Sequence, residues 1–453
     1  MDKMLGHFRR PLLLNTPARE RAHLVKNRPV DMPMSPMTGK PYSADCYFKM
    51  MIIGVGYLFP MCALFAAFDY WKILFVDREK TIEFDLMIVY QSCSVTTVIA
   101  LSIVESMDMH LRIVGGFVGQ FIALLFISMF PLLSEFVPSE ILYYVLLILT
   151  CVMAIATGFL DSALLCFNSQ YSPRMQEALQ IGIGCSIFAS VIYRDITKMV
   201  GSNITESSII YFICSLMTVL ACLWNYISLL RHPVSWPIRT SAVFRGDFSG
   251  DLVVAGFGGD EPLLEAVGNS TPKPTVLGVL GKCWKNQLVV FVHFLFCSLG
   301  YPAMITAIPL YSGADTFLGK ENWYQAILLT LFTIADTVSR FGVRCRFNFT
   351  PKTFWKSIIV RAALIPLLWM AACGTMIHSD LFSVVAVILF GITNGYCISL
   401  SLIIINEIPG MNIDELAVAG RFSAVSVNLG LCVGGIIAAA FSRIVMPELP
   451  SGI

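Results

Sequence analysis

Charged side chains are scarce in this sequence, and the few that are present nearly cancel. Asp, Glu, Lys and Arg make up 13% of the 453 residues, with 31 basic and 30 acidic side chains and a net charge of +1. A charge so close to zero gives no electrostatic basis for binding nucleic acid. With 56% hydrophobic residues and a mean hydropathy of +0.73, the composition excludes a soluble globular protein and predicts a polytopic membrane protein.

Motifs for metal, nucleotide and covalent chemistry are also missing. The 14 cysteines show no CxxC spacing, so neither a zinc site nor a disulfide framework is indicated. Residues 256–259 are glycine-rich but lack the GxxxxGK[ST] pattern of a phosphate-binding loop. The 6 histidines are scattered, and no nucleophile–base set is visible. We therefore expect neither an enzyme nor a resident cofactor.

Long apolar runs are the main feature that the sequence does contain. A helix needs about 20 apolar residues to cross a hydrocarbon core of roughly 30 Å. Eleven such runs predict eleven transmembrane helices in an all-α bundle, near residues 48–70, 85–104, 112–131, 141–165, 177–193, 208–230, 287–311, 323–342, 357–377, 381–405 and 418–445. The fifth is the weakest, because it is short and follows a polar stretch. No apolar run precedes Phe48, so no signal peptide is expected.

The distribution of Lys and Arg predicts the orientation, because cytoplasmic segments carry an excess of both. Placing the N-terminus inside puts most basic residues on cytoplasmic segments. Eleven spans then put the C-terminus outside. In this orientation Asn203, in an N-x-[ST] sequon, lies outside and is a candidate for glycosylation, whereas the sequons at Asn269 and Asn348 lie inside.

The longest interruption between apolar runs divides the spans six and five. Residues 231–286 are rich in Gly, Pro and Ser with mixed charge, and they predict a flexible cytoplasmic loop. The resulting domains are a cytoplasmic tail at 1–47, a six-helix half at 48–230 and a five-helix half at 287–453. No internal repeat is visible, but two half-bundles are typical of carriers that rock about a midplane site.

Asp336 and Arg340 are charged residues inside an otherwise apolar span. Their i, i+4 spacing places both on one helix face, where they can pair. A charge in hydrocarbon costs at least about 2.5–3.5 kcal/mol, so the pair indicates either a solute path or an interhelical strut. Asp161 is a substrate or proton site if the fourth span continues toward Asn168, and an interfacial residue if the span ends early. We interpret His293 as structural.

Six short motifs, in order along the predicted spans, resemble those of the equilibrative nucleoside transporter family. Residues 336–340 (DTVSR) match Asp-x-x-Gly-Arg except that Ser replaces Gly, and residues 393–400 (TNGYCISL) are similar to Ser-Asn-Gly-Tyr-x-x-Ser-Leu. The other four are at 54–62 (GVGYLFPMC), 300–302 (GYP), 361–366 (RAALIP) and 419–435. The resemblance runs from about residue 48 to 446.

The resemblance implies a major-facilitator-like bundle that lacks a twelfth helix and moves nucleosides, and sometimes nucleobases, by alternating access. Asp336 and Arg340 would contact the ribose hydroxyls or the base, or hold the helices that do. The residues that would line the path from the first span are Leu58, Met61, Cys62 and Phe65. Those with a structural or gating role would be Pro60, Gly182, Pro302, Arg361, Asn394 and Gly395.

Two departures from the family pattern leave the substrate open. Met61 and Cys62 replace the tryptophan and asparagine that follow the proline of the first span. Asp161 falls where many members have a glutamine that contacts substrate, and an acid there can hydrogen-bond a base or couple transport to H⁺. The expected partners are a nucleoside or nucleobase and the lipid bilayer, for a monomer in the plasma membrane. The alternative is a carrier of the same architecture for another small polar solute.

Overall fold

The computed structural model describes residues 43–76, 82–103, 108–134, 136–201, 203–235, 238, 275–312, 317–319, 323–373 and 377–445. Within these residues, eleven helices are long and apolar enough to cross a membrane. They are α1 Ala44–Ala66, α2 Ile82–Ile103, α3 Met109–Ser128, α4 Ser139–Ser169, α5 Pro173–Val200, α6 Ile204–Arg231, α7 Val276–Gly300, α8 Trp323–Phe341, α9 Lys356–Cys373, α10 Asp380–Ile405 and α11 Ile413–Val445. The predicted all-α class with eleven spans is confirmed.

The helices form because backbone N–H and C=O groups in hydrocarbon must pair within their own segment. Shorter helices at Phe68–Leu74, Phe130–Leu133 and Ala303–Thr306 follow the ends of α1, α3 and α7. Pro60 and Pro366 lie inside α1 and α9. The sequon residue Asn203 is exposed at the start of α6.

The predicted bounds of two spans are wrong. The fifth span is not short, because α5 runs from Pro173 to Val200 and its polar first turns, with Gln176 and Gln180, are buried inside the protein. Polar residues that face protein lower the hydropathy of a helix without ending it. The seventh helix begins at Val276 and ends at Gly300, about three turns earlier than predicted at each end. The last part of the predicted 231–286 loop is therefore helical.

Glycines set the closest approaches between neighbouring helices. On α1 and α5, Gly54 faces Gly182, and a Cβ at Gly182 would overlap the carbonyl oxygen of Met51. On α11, Gly430 and Gly434 lie against backbone carbonyls of α7 in the same way. Small residues that let two helices approach so closely are a main source of packing energy in a membrane, where lipid offers no hydrophobic drive.

Six of the long helices precede residues 239–274 and five follow them. The two groups, α1–α6 and α7–α11, meet along two seams. At one seam α5 packs against α8 and α10, and at the other α2 and α4 pack against α11. Residues from both seams line one internal cavity.

Candidate functional site

Asp336 and Arg340 lie one turn apart on α8 and form a buried ion pair. Arg340 Nε donates to Asp336 Oδ2 at 2.8 Å, and the Asp336 side chain is 0% exposed. Two glycines make room for the pair. A Cβ at Gly395 on α10 would overlap the carbonyl oxygen of Asp336, and a Cβ at Gly184 on α5 would lie 2.5 Å from Arg340 Cδ. The glycines thus allow α5 and α10 to pack directly against the ion pair.

Hydrogen bonds extend this pair across the α5/α8/α10 seam. Arg340 Nη1 donates to Gln180 on α5, at 3.0 Å to the backbone oxygen and 3.3 Å to Oε1. Asn394 Nδ2 on α10 donates to Asp336 Oδ1 at 2.7 Å. Both carboxylate oxygens of Asp336 are therefore occupied, and its charge fixes the position of Arg340. We call Gln180, Asp336, Arg340 and Asn394 the arginine cluster.

A second polar group surrounds Asp161 at the other seam. Because α4 continues to Ser169, Asp161 lies within the helix and not at its end. Its carboxylate accepts hydrogen bonds from the Tyr57 hydroxyl on α1 and from Asn428 Nδ2 on α11, the latter at 2.6 Å. Ser94 on α2 donates to Asn428 Oδ1 at 2.8 Å. Tyr57, Ser94, Asp161 and Asn428 form what we call the aspartate cluster.

The aspartate cluster differs from the arginine cluster in its charge. In the part of the chain that the structure describes, Asp161 has no basic partner in an ion pair; its bonded partners are a phenol and an amide. Asp336, in contrast, is neutralised by Arg340 at 2.8 Å. A buried carboxylate without a counter-ion is strongly disfavoured in its charged form. Asp161 therefore places in the cavity wall a carboxylate that no basic side chain of the described residues neutralises.

The two clusters line a single cavity of about 340 Å³ between the halves. Its walls are mainly apolar, which is typical of sites that enclose a small organic ligand with a few fixed polar contacts. The predicted site residues that line it are Leu58, Met61, Phe65, Asp161, Pro302, Arg340 and Asn394. The structure brings these residues together from α1, α4, α8, α10 and the segment after α7.

Other predicted residues lie behind the cavity wall. Asp336 and Cys62 are buried and are not among the lining residues. Arg361 Nη1 donates to the backbone oxygen of His293 at 2.8 Å, and its Nη2 donates to Asn394 Oδ1 at 2.7 Å. Of the remaining three predicted residues, Gly182 and Gly395 lie at close helix contacts, and Pro60 is buried inside α1. Arg361 therefore supports Asn394 from outside the cavity.

Apart from Asn394, sequence analysis did not identify several uncharged polar residues of the cavity. These lining residues are Tyr57, Tyr90, Gln91, Ser94, Thr157, Gln180, Ser298 and Asn428. Gln91, Gln180 and Asn428 lie inside apolar helices, and an amide in such a position is itself a signal of an internal polar contact. A search for polar side chains within the spans, and not only for charged ones, would have found these three.

The two ends of the cavity differ. At the end where α1 begins and α8 ends, Glu177 Oε1 accepts from Arg344 Nε at 2.7 Å and from the Tyr47 hydroxyl at 3.2 Å, which joins the two halves. At the opposite end the lining extends beyond the ends of α1 and α7 to Lys72 and Thr306. The cavity thus reaches toward one end of the bundle, and an ion pair bridges the halves at the other.

Comparisons with known proteins agree with this architecture. The sequence model described as nucleoside transporter matches residues 268–443. Equilibrative nucleoside transporter 4 of Danio rerio is 23% identical over 446 residues, which cover 87% of this chain and 83% of the relative. Equilibrative nucleotide transporter 8 of Arabidopsis thaliana is 23% identical over 407 residues, which cover 86% of this chain and 93% of the relative.

Solved structures support the same fold. A bacterial homologue of the iron transporter ferroportin superposes with a TM-score of 0.55 at 11% identity. The superposition covers 87% of this chain and 91% of the homologue. The major facilitator superfamily proton:xylose symporter XylE gives a TM-score of 0.53 at 11% identity, covering 89% and 95%. The predicted major-facilitator-like bundle is confirmed. The match over residues 268–443 and the relatives that span most of the chain confirm the predicted resemblance to the equilibrative nucleoside transporter family.

Proposed function

We propose that this integral membrane protein carries nucleosides, and also nucleobases, by alternating access of the cavity between its two halves. The observation that carries the proposal is the placement of Arg340, which lines an apolar cavity of about 340 Å³ and reaches from α8 to Gln180 on the other half. A nucleoside combines an apolar, flat base with a hydroxylated sugar. The cavity offers the matching combination of apolar walls and fixed polar groups.

The arginine cluster is the ribose end of the proposed site. Arg340 supplies charged donors, while the Gln180 and Asn394 amides supply both donors and acceptors. Asp336 does not face the cavity and acts by fixing Arg340 through the 2.8 Å ion pair. A site that hydrogen-bonds hydroxyls disfavours analogues without them, because its own buried polar groups are then left unpaired.

Aromatic side chains in the remaining wall supply the surface for the base. Rings in offset or edge contact with an aromatic ligand contribute beyond the burial of area alone. Tyr301 stacks on Phe332 with ring centroids 4.7 Å apart, and Phe65 contacts Tyr90 edge-on at 5.7 Å. All four residues line the cavity. These rings would provide the aromatic contact to the base in place of the tryptophan that the family pattern has at the position of Met61.

Alternating access requires that contacts between the halves exchange during the cycle. The ion pair of Glu177 with Arg344 joins the halves at one end, while the cavity extends to Lys72 at the other. Rocking of α1–α6 against α7–α11 would break this ion pair and close the end near Lys72. The polar groups of both seams remain beside the substrate throughout.

Proton coupling is part of the proposal and depends on Asp161. Its carboxylate faces the cavity and is bonded to Tyr57 and Asn428, with Tyr90 also in the lining. Taking up a proton would remove the uncompensated charge before the halves close around it. Transport would then follow a pH gradient.

We also propose that the protein acts in the plasma membrane and as a monomer.

Uptake of labelled adenosine in transport-deficient cells tests the main proposal. Saturable uptake that uridine, inosine and free bases inhibit to different degrees is the expected result. Sugars and amino acids at the same concentrations serve as competitors of unrelated chemistry. Absence of uptake for every nucleoside and base, with the protein labelled at the cell surface, would contradict the proposal, and inhibition by an unrelated solute would favour the alternative carrier.

A further inference from the structure

Three polar side chains in the cavity wall, Gln91, Gln180 and Ser298, have a buried atom without a hydrogen-bond partner among the described residues, and two of the three lie outside the arginine cluster. Gln91 on α2 is 8% exposed and Ser298 on α7 is 2% exposed, and both line the cavity. Among the described residues, neither Gln91 Oε1 nor Ser298 Oγ makes a hydrogen bond. A buried polar atom left unsatisfied costs about 1–3 kcal/mol. In a cavity made for a ligand, such atoms mark where the polar groups of the ligand bind.

Gln91 and Ser298 belong to one corner of the cavity, where α2, α7 and α11 meet. Gly435 on α11 defines the corner, since a Cβ there would lie 3.1 Å from Met87 Cε and 3.3 Å from Ser298 Oγ. Met87 and Gln91 are one turn apart on α2 and therefore share a face. The corner combines two residues of one half, Met87 and Gln91, with two of the other, Ser298 and Gly435.

The corner continues the aspartate cluster along α2. Ser94 lies one turn beyond Gln91 on the same helix and donates to Asn428, which in turn donates to Asp161. The atoms without a partner in this region are the Gln91 carbonyl oxygen, which accepts, and the Ser298 hydroxyl, which can accept or donate. Acceptors are satisfied by N–H or O–H donors on a ligand. A ligand oxygen placed beside Gln91 Oε1 would face a like partial charge, whereas an amino group can donate to both atoms.

We propose that this corner binds the exocyclic amino group of a nucleobase. The carrier then prefers bases that bear an amine, as adenine and cytosine do, over hypoxanthine and uracil, which carry an oxo group there. One amino hydrogen bonds Gln91 Oε1 and the other bonds Ser298 Oγ. The inference rests on the proposed nucleoside transport, with the ribose at the arginine cluster and the base extending to the α2/α7/α11 corner.

Three ribosides that differ at one substituent test the proposal. Adenosine has an amine at the six-position, inosine an oxo group, and purine riboside only hydrogen. The initial uptake rate at low concentration, divided by surface protein, gives the relative specificity for each. One hydrogen bond of ordinary strength predicts a preference of about three- to tenfold for adenosine over purine riboside. Inosine should be taken up no better than purine riboside.

Variants of the corner assign the preference to its residues. Gln91→Leu, which removes the acceptor, is expected to bring the adenosine to purine riboside ratio close to one. Gln91→Glu, which keeps the acceptor and removes the amide donor, is expected to keep or raise the ratio. Ser298→Ala should lower it in part. Thr96→Val is the matched control, because Thr96 is exposed on the same helix and its hydroxyl bonds Ser92 O of its own helix at 2.7 Å.

Different outcomes separate this inference from the proposed function. Wild-type protein that transports adenosine and purine riboside equally well would overturn the amine site and leave nucleoside transport intact. Uniform slowing of all three ribosides by Gln91→Leu, with an unchanged ratio, would show a structural role and also overturn it. Uptake of no riboside at all would overturn the proposed function and this inference together. Should Gln91→Leu fail to reach the surface, the ratio in Ser298→Ala decides.

Discussion

Removing one charge of the Asp336–Arg340 pair should abolish transport, mainly through loss of folded protein. Asp336 accepts from Arg340 at 2.8 Å and from Asn394 at 2.7 Å, and it is fully buried. Removing one partner of a buried ion pair costs about 3–5 kcal/mol, because the other charge is left uncompensated. Since about 1.4 kcal/mol is a factor of ten, Asp336→Asn and Arg340→Gln should each lower the equilibrium constant for folding by roughly two to four orders of magnitude.

The double variant Asp336→Asn/Arg340→Gln separates a binding role from a supporting one. Replacing both members of a buried pair with neutral groups is often close to neutral for stability, so surface abundance should recover. Transport should not recover, because Arg340 faces the cavity and Asp336 does not. Surface biotinylation measures abundance, and labelled adenosine uptake per surface molecule measures function. Gly342→Ala is the control for the effect of a substitution on expression, because Gly342 follows α8 and has open space where a Cβ would lie.

Two results would refute this reasoning. Normal abundance and uptake in both single variants would mean that the pair is neither a binding site nor a structural element. Recovery of uptake together with abundance in the double variant would show that the charges only support the fold. A dideoxy analogue adds a direct check, since loss of discrimination against it should accompany loss of Arg340 if the guanidinium contacts ribose.

Three further predictions concern coupling, packing and orientation. Asp161→Asn is expected to abolish any dependence of uptake on a transmembrane pH gradient, because an amide does not exchange a proton; flat uptake in both parent and variant would exclude coupling. Gly395→Ala would place a Cβ on the Asp336 carbonyl and should lower the midpoint of thermal unfolding in detergent, whereas Gly342→Ala should not; equal midpoints would contradict the close contact. Glycosylation mapping should modify Asn203 and leave Asn348 unmodified, and the reverse pattern would invert the predicted orientation.

The helices and the charged pair could be predicted from sequence because hydrocarbon imposes strong local rules. A run of about 20 apolar residues has few alternatives to a spanning helix, and a charge within one is conspicuous. Asp336 and Arg340 were found for this reason, and their spacing gave the ion pair. The start of α5 was missed because Gln176 and Gln180 are polar but face protein. A hydropathy average over all faces of a helix does not distinguish buried polar residues from exposed ones.

Contacts between distant helices were beyond the reach of a single sequence. Nothing local indicates that Asn428 would bond Asp161, 267 positions earlier, or that Arg340 would bond Gln180. Even the status of Asp161 depended on where α4 ends, a bound that hydropathy sets only to within a few residues. The amides of the site carry no charge, so their cost in an apolar helix is modest and their signal is correspondingly weak.

The distribution of ion pairs fits a molecule whose halves move against each other. Among the residues that the structure describes, the only ion pair that joins α1–α6 to α7–α11 is Glu177 with Arg344, and the Arg344 side chain is 69% exposed. Exposed pairs contribute about 0–1 kcal/mol, so this one can open at little cost. The buried pair of Asp336 and Arg340 lies within one helix. Strong electrostatic contacts thus stabilise each half, and the seams depend on hydrogen bonds that a polar substrate can replace.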